Sequence, residues 1–293
     1  MKSISYWLDT FFSEPFRHKA EKIIVYIAIL SFAVHLGLVL LSYFQLIEVA
    51  ESNQLLKSPI SAIYTPFSFI LIYEVYLLIY YLPKSISTYI GKQYEIISLI
   101  LIRRIFKDIS LLDFGSEWFE NKYDLAFTYD VLTTLLLFLL IFLFYRLNKK
   151  RPDEEGIRDR ESLHNFIQRK YLIAKVLLPI FFALALYSFA RWMYESIFSF
   201  SQMLESIKDV NNIFFDEFFT VLILTDLLLL LISLLYTDQF EVVIRNSGFI
   251  ISTILIRLSF GVEGLGNRVL ILAAVGFGVL INAIFNLYKE KLV

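Results

Sequence analysis

Four ionisable side chains stand where an apolar segment would be expected to carry none: Glu74 in YEVYLLIYYL, Arg103 in ISLILIRRIF, Asp226 in TDLLLLLISLLY and Arg257 in ISTILIRLSF. A charge in hydrocarbon costs about 3 to 10 kcal/mol or more, so each is expected to meet an opposite charge or water. An acid and an arginine placed together support two kinds of chemistry. They form a neutral staple that fixes helix register, or an ionisable gate on an ion or proton pathway. Arg104 and Lys107 follow Arg103 on the same segment. Leu258 stands where a second Arg104 would be, so Arg104 and Lys107 are expected to face the outer half of an aqueous crevice or a partner subunit. His35 lies midway along the first apolar run and suits either a packed neutral imidazole or a proton relay. Asn282 and Asn286, one helical turn apart, are expected to bridge helices or to touch a hydrated path.

No other chemistry is signalled. Walker, HExxH, GxSxG and dinucleotide patterns are absent, so no catalytic residue is assigned and an enzyme is not expected. With no cysteine there is no thiolate nucleophile or thiolate metal site. His18 and His164 fall at or beyond the inner surface and leave His35 without an axial partner for haem. No metal ligand set and no cofactor are therefore expected. A net charge of −1 and the lack of a basic tail give no sign of nucleic-acid binding.

The elements that must carry these residues follow from composition. Of 293 residues 58% are hydrophobic, with 29 Phe and 18 Tyr against 10 Gly and 6 Pro. A soluble domain has no interior large enough for them, and the lipid bilayer is the expected solvent. A span needs about 20 mostly apolar residues. Clear candidates are 23–48, 60–82, 125–147, 171–197, 213–236 and 267–288; two charged ones are 93–112 and 242–261. Eight helices with both termini cytoplasmic satisfy the positive-inside rule. Lys84, Lys92, the loop RLNKKRPDEEGIRDRESLHNFIQRK and Lys289 and Lys291 all then fall inside. The N-terminal MKSISYWLDTFFSEPFRHKAEK lacks an early apolar core with a small-residue cleavage site and is expected to be retained. The bacterial inner membrane is the expected location.

A duplication organises the eight segments. ISLILIRRIF (97–106) and ISTILIRLSF (251–260) agree at seven of ten positions, with Arg103 over Arg257. Glu74 corresponds to Asp226, and the fourth and eighth segments align at an offset near 138. Four helices per copy give both copies the same orientation, hence parallel repeats. The expected architecture is all-α. It comprises an interfacial segment (1–22), a first four-helix repeat (23–147), a charged cytoplasmic linker (148–170) and a second repeat (171–293). Taking the third helix to start near Lys92, and the seventh near Arg245, puts Glu74 level with Arg103 and Asp226 level with Arg257.

An acid on the second of four helices resembles the outline of a voltage-sensor domain. The fourth helices carry no arginine ladder, so a steep voltage response has no source. AAVGFGVLI (273–281) resembles a potassium-channel filter only at Val275, Gly276, Phe277 and Gly278. The roughly fifteen residues after Gly278 are too few for an inner helix beyond a filter. Ala273, Ala274, Gly276 and Gly278 are expected instead to let another helix approach closely. The leading expectation is an ion channel or ion-coupled transporter, moving ions or a small solute and built as a homo-oligomer. The alternative is a non-conducting anchor or assembly subunit that meets a partner membrane subunit.

Overall fold

The computed structural model describes residues 9–45, 62, 64–109, 122–149, 160–198, 203–237, 239–262 and 264–292. Among these every element is helical and there is no strand. The helices are α1 (Glu14–Tyr43), α2 (Tyr64–Tyr81), α3 (Ile86–Ile109), α4 (Lys122–Lys149), α5 (Arg160–Phe198), α6 (Met203–Tyr236), α7 (Phe240–Ser259) and α8 (Leu265–Leu292). Long apolar runs adopt helix because hydrocarbon offers no partner to an unsatisfied backbone N–H or C=O. Five of these segments are long and apolar enough to cross a membrane: Glu14–Tyr43, Asp124–Lys149, Phe218–Tyr236, Phe240–Ser259 and Leu265–Lys291. They imply a lipid bilayer environment. α3 does not qualify because it carries Lys92, Glu95, Arg103 and Arg104, and in α2 only Ile72–Tyr81 counts as a shorter apolar helix.

The distribution of side chains is that of a protein solvated by lipid. Tyr26 is 72% exposed and Leu30, Phe142, Phe182 and Leu235 also face outward, while Asp130, Asp226 and Asn246 are wholly buried. In water this arrangement would be inverted. Packing inside rests on van der Waals fit and interhelical hydrogen bonds rather than on burial from water. Tyr94, Phe144 and Phe249 stack edge-on at the centre, with ring centroids 5.0 and 5.4 Å apart.

Helices α1 to α4 pack each against the next, and α5 to α8 do the same. The two runs meet where α4 lies on α8, α3 on α7 and α2 on α5. Bonded pairs along α4 and α8 show their direction. Arg268 bonds Asp130, Asn286 bonds the Leu147 carbonyl and Asn282 bonds Asn148. Both numbers rise together, so the two helices run side by side in the same sense. α1 packs chiefly on α2 and leaves most of its surface outward. Its start is fixed by a Ser13 cap that accepts from the Phe16 N–H, with Pro15 in the first turn. Tyr76 and Tyr80 of α2 hold that same end through the Phe11 carbonyl and the Glu14 carboxylate, both at 2.6 Å.

Some boundaries differ from those read off hydropathy. α3 begins at Ile86 rather than near Lys92, because Leu82–Ser85 make only a tight turn after α2. α1 begins at Glu14, well before residue 23, since nothing between the cap and the apolar run breaks the helix. α5 and α6, at 39 and 34 residues, run longer than a membrane crossing requires. Pro66 falls in the first turn of α2, where its missing N–H has no helical partner to lose. The side chain of Lys107 and the charged linker over 150–159 lie outside the described residues.

Candidate functional site

Asp226 is buried with a full set of partners, and three helices build its surroundings. α3 presents Tyr89 and Gln93, four residues apart and therefore on one face. α7 presents Thr253 and Arg257 at the same spacing. α6 supplies Asp226 itself from a helix of otherwise aliphatic neighbours. The Tyr89 hydroxyl donates to Oδ1 at 2.9 Å, and the Gln93 amide reaches both carboxylate oxygens at 3.3 Å. Arg257 Nη2 lies 2.8 Å from Oδ2 and also donates to Gln93 Oε1 at 2.8 Å. The Thr253 hydroxyl stands 3.2 Å from Oδ2 and 2.9 Å from the Ile250 carbonyl oxygen, and its single proton serves one at a time.

Every group around Asp226 is thus a donor, and one of them is a cation. The Arg257 side chain is only 4% exposed. Charge-assisted hydrogen bonds of this length in a low-dielectric interior are strong, and they offset the large cost of burying both charges. Arg257 Nη1 is buried as well and has no hydrogen-bond partner among the described residues. Beside it lies a cavity of about 10 Å³ whose wall includes Arg257, Gln93 and Thr253 among apolar side chains such as Leu78, Phe219 and Ile256. That volume matches a single water-sized occupant.

A second buried centre lies where α3, α4 and α8 meet. Asp130 accepts from Arg104 Nη2 at 2.6 Å and from Arg268 through Nε at 2.6 Å and Nη2 at 3.1 Å. Arg104 Nη1 donates to Asn267 Oδ1 at 2.8 Å, and Asn267 in turn donates to the Ser259 carbonyl at 2.7 Å. Arg104 remains 31% exposed and Arg268 11%. Among the described residues, Arg104 and Arg268 share this one carboxylate.

Among the residues singled out from sequence, Asp226 and Arg257 meet directly. Glu74 and Arg103 stand at different heights. With α3 starting at Ile86, Arg103 is about 25 Å from the α2–α3 turn, whereas Glu74 is about 10 Å from it. Arg257 is about as far along α7, yet it reaches Asp226 because a helical side chain leans toward the N-terminus of its own helix. Arg104 bonds Asp130, a residue not weighed from sequence. His35 is half-buried and bonds the Thr65 hydroxyl of α2. Asn282 and Asn286 both reach α4, at 2.7 Å to Asn148 and 3.0 Å to the Leu147 carbonyl. Of the small residues near 273–281, Gly278 has the close neighbour. A Cβ there would overlap the Tyr94 hydroxyl, which donates to Ser252 Oγ at 2.7 Å. Gly276 has open space instead.

Tyr89 was missed because it falls in the loop that hydropathy places before the span 93–112, and Gln93 because it is the uncharged first residue of that span. Their spacing of four was a usable signal once a helix was allowed there. Asp130 and Arg268 were visible as charges at or just inside the edges of apolar runs. No family model, no curated protein and no solved structure matches the chain.

Proposed function

We propose that this chain is an ion-coupled transporter of the membrane, with Asp226 and Arg257 as its ionisable centre. The observation that carries this reading is the position of that centre. It lies where α3, from the first run of four helices, packs into α6 and α7 of the second. In transporters assembled from repeats the coupling site sits at such a seam, where rocking of one unit against the other changes access. The parallel course of α4 and α8, the offset of 138 between Asp130 and Arg268, and the ISLILIRRIF–ISTILIRLSF match support a duplicated origin of the two runs. The closed packing around Asp226 favours an occluded transporter over an open channel. In this reading both termini are cytoplasmic, the membrane is the bacterial inner membrane, the protein works as an oligomer and no covalent catalysis is involved.

The test is flux in reconstituted vesicles under ionic gradients, for the unmodified chain and for Asp226→Asn. Transport by the first that is altered in the second, with both proteins folded, supports the reading. No flux from the unmodified chain under any ionic gradient removes it. One observation favours an anchor or assembly subunit: α1 buries little of its apolar surface within the chain and is free to meet another membrane protein. In that case Asp226–Arg257 is a register staple, and Asp226→Asn changes stability alone.

A further inference from the structure

The centre holds one unused donor next to a space, and its charge arithmetic restricts what can enter. Asp226 and Arg257 together are neutral. A metal cation added beside them would raise the site to +1 or more, and its neighbours offer it little, since Tyr89, Gln93 Nε2, Thr253 and Arg257 all direct hydrogens at the carboxylate. An anion added alone would lower the site to −1 within an apolar wall. A proton added alone would leave Arg257 buried without its counter-charge, which is similarly costly. A proton and an anion added together keep the site neutral before and after.

We infer that the cavity beside Arg257 is the site of a small monovalent anion, halide-sized, which enters as Asp226 takes up a proton from water. The inference rests on the transporter reading for movement across the membrane, though not for binding. In the step, an O–H bond forms on the Asp226 carboxylate as an O–H bond of a hydronium ion breaks to leave water, and no other covalent bond changes. The guanidinium charge released from Asp226 is then balanced by the anion, held first by Nη1, which has no hydrogen-bond partner among the described residues. The size follows from the cavity, about 10 Å³, which matches a fluoride and is too small for a sulfate.

The groups that set the pH response come from each neighbouring helix. α3 offers Tyr89, and α7 offers Arg257. α2 brings Glu74, whose charged neighbours are Glu95, Lys92 and Glu21. α5 brings Lys170 and Lys175, bonded respectively to the Lys84 carbonyl and to Asp9. Asp226 alone among the acids of the described residues is bonded directly to Arg257.

The test uses the full chain in detergent, with fluoride or chloride replacing gluconate at constant ionic strength and with sulfate as the size control. For the unmodified protein the unfolding midpoint is expected to rise by several degrees with halide, and by more at pH 5 than at pH 8. Asp226→Asn, which imitates the protonated acid, is expected to respond at both pH values, and Arg257→Gln at neither. Should these variants fail to fold, halide added to the weakly buffered unmodified protein is expected to draw about one proton per chain from solution. A midpoint insensitive to halide, together with no proton uptake, means that the cavity holds water only and overturns the inference. Vesicles separate the two readings. Halide binding without flux removes the transporter and keeps the site, whereas proton flux indifferent to halide keeps the transporter and removes the site.

Discussion

Asp226 and Asp130 are both fully buried aspartates held by arginine, and they are held differently. Asp226 has one arginine and three neutral donors, and its arginine is almost sealed from solvent. Asp130 has two arginines, one of them about a third exposed, and lies near the ends of α3 and α8. The first centre is electrically balanced and has no spare charge. The second sets two arginines on one carboxylate among the described residues, and water reaches Arg104. A balanced buried pair responds to the loss of either member, because nothing nearby can replace it. An unbalanced, partly wetted cluster can lose one member and redistribute. On this difference the first centre is suited to switching and the second to holding α3, α4 and α8 together.

The sharpest way to break the comparison is to remove each acid in turn. Asp226→Leu leaves Arg257 buried and uncompensated, and is expected to cost about 3 to 5 kcal/mol, read as a collapse of the unfolding midpoint in detergent. Asp130→Leu is expected to cost less, since water reaches Arg104; equal losses would show that solvent access does not separate the two centres. Next in size is Gly278→Ala. It forces Tyr94 off its Ser252 bond and is expected to cost about 1 to 3 kcal/mol by overpacking, while Gly276→Ala is neutral or slightly stabilising. A midpoint equal for the two alanine variants would remove Gly278 as a close-approach position. Within the second cluster, Arg268→Gln is expected to lose more than Arg104→Gln, about 2 against about 1 kcal/mol. Arg268 bonds both oxygens of Asp130 and is the less exposed of the two. Smallest is Tyr89→Phe, about 1 kcal/mol in the same assay, because Asp226 keeps its other donors.

How much of this was readable from the chain differs by feature. Helical class and a lipid environment were plain, because roughly twenty-residue apolar runs leave no other way to satisfy the backbone. The segments around Arg103 and Arg257 stood out as charged intrusions for the same reason. What failed was height. Assigning α3 by hydropathy cut off Ile86–Lys92, a full helical stretch whose Tyr89 turned out to face Asp226. Moving that helix start shifted Arg103 by about two turns relative to Glu74. Asp130 and Arg268 went unpaired on paper because α4 and α8 are far apart in sequence, and no local pattern states that they are neighbours.

The sequence by itself determined which residues must be protected from hydrocarbon and that helices must do it, since both follow from the cost of an unsatisfied polar group in lipid. Only the tertiary structure decided who protects whom. Asp226 takes its hydrogen bonds from residues 27 to 137 positions away, and Asp130 takes Arg104 and Arg268 from opposite sides. Those choices depend on helix start points, side-chain lean and lateral packing order. All three are properties of the assembled bundle rather than of any one segment.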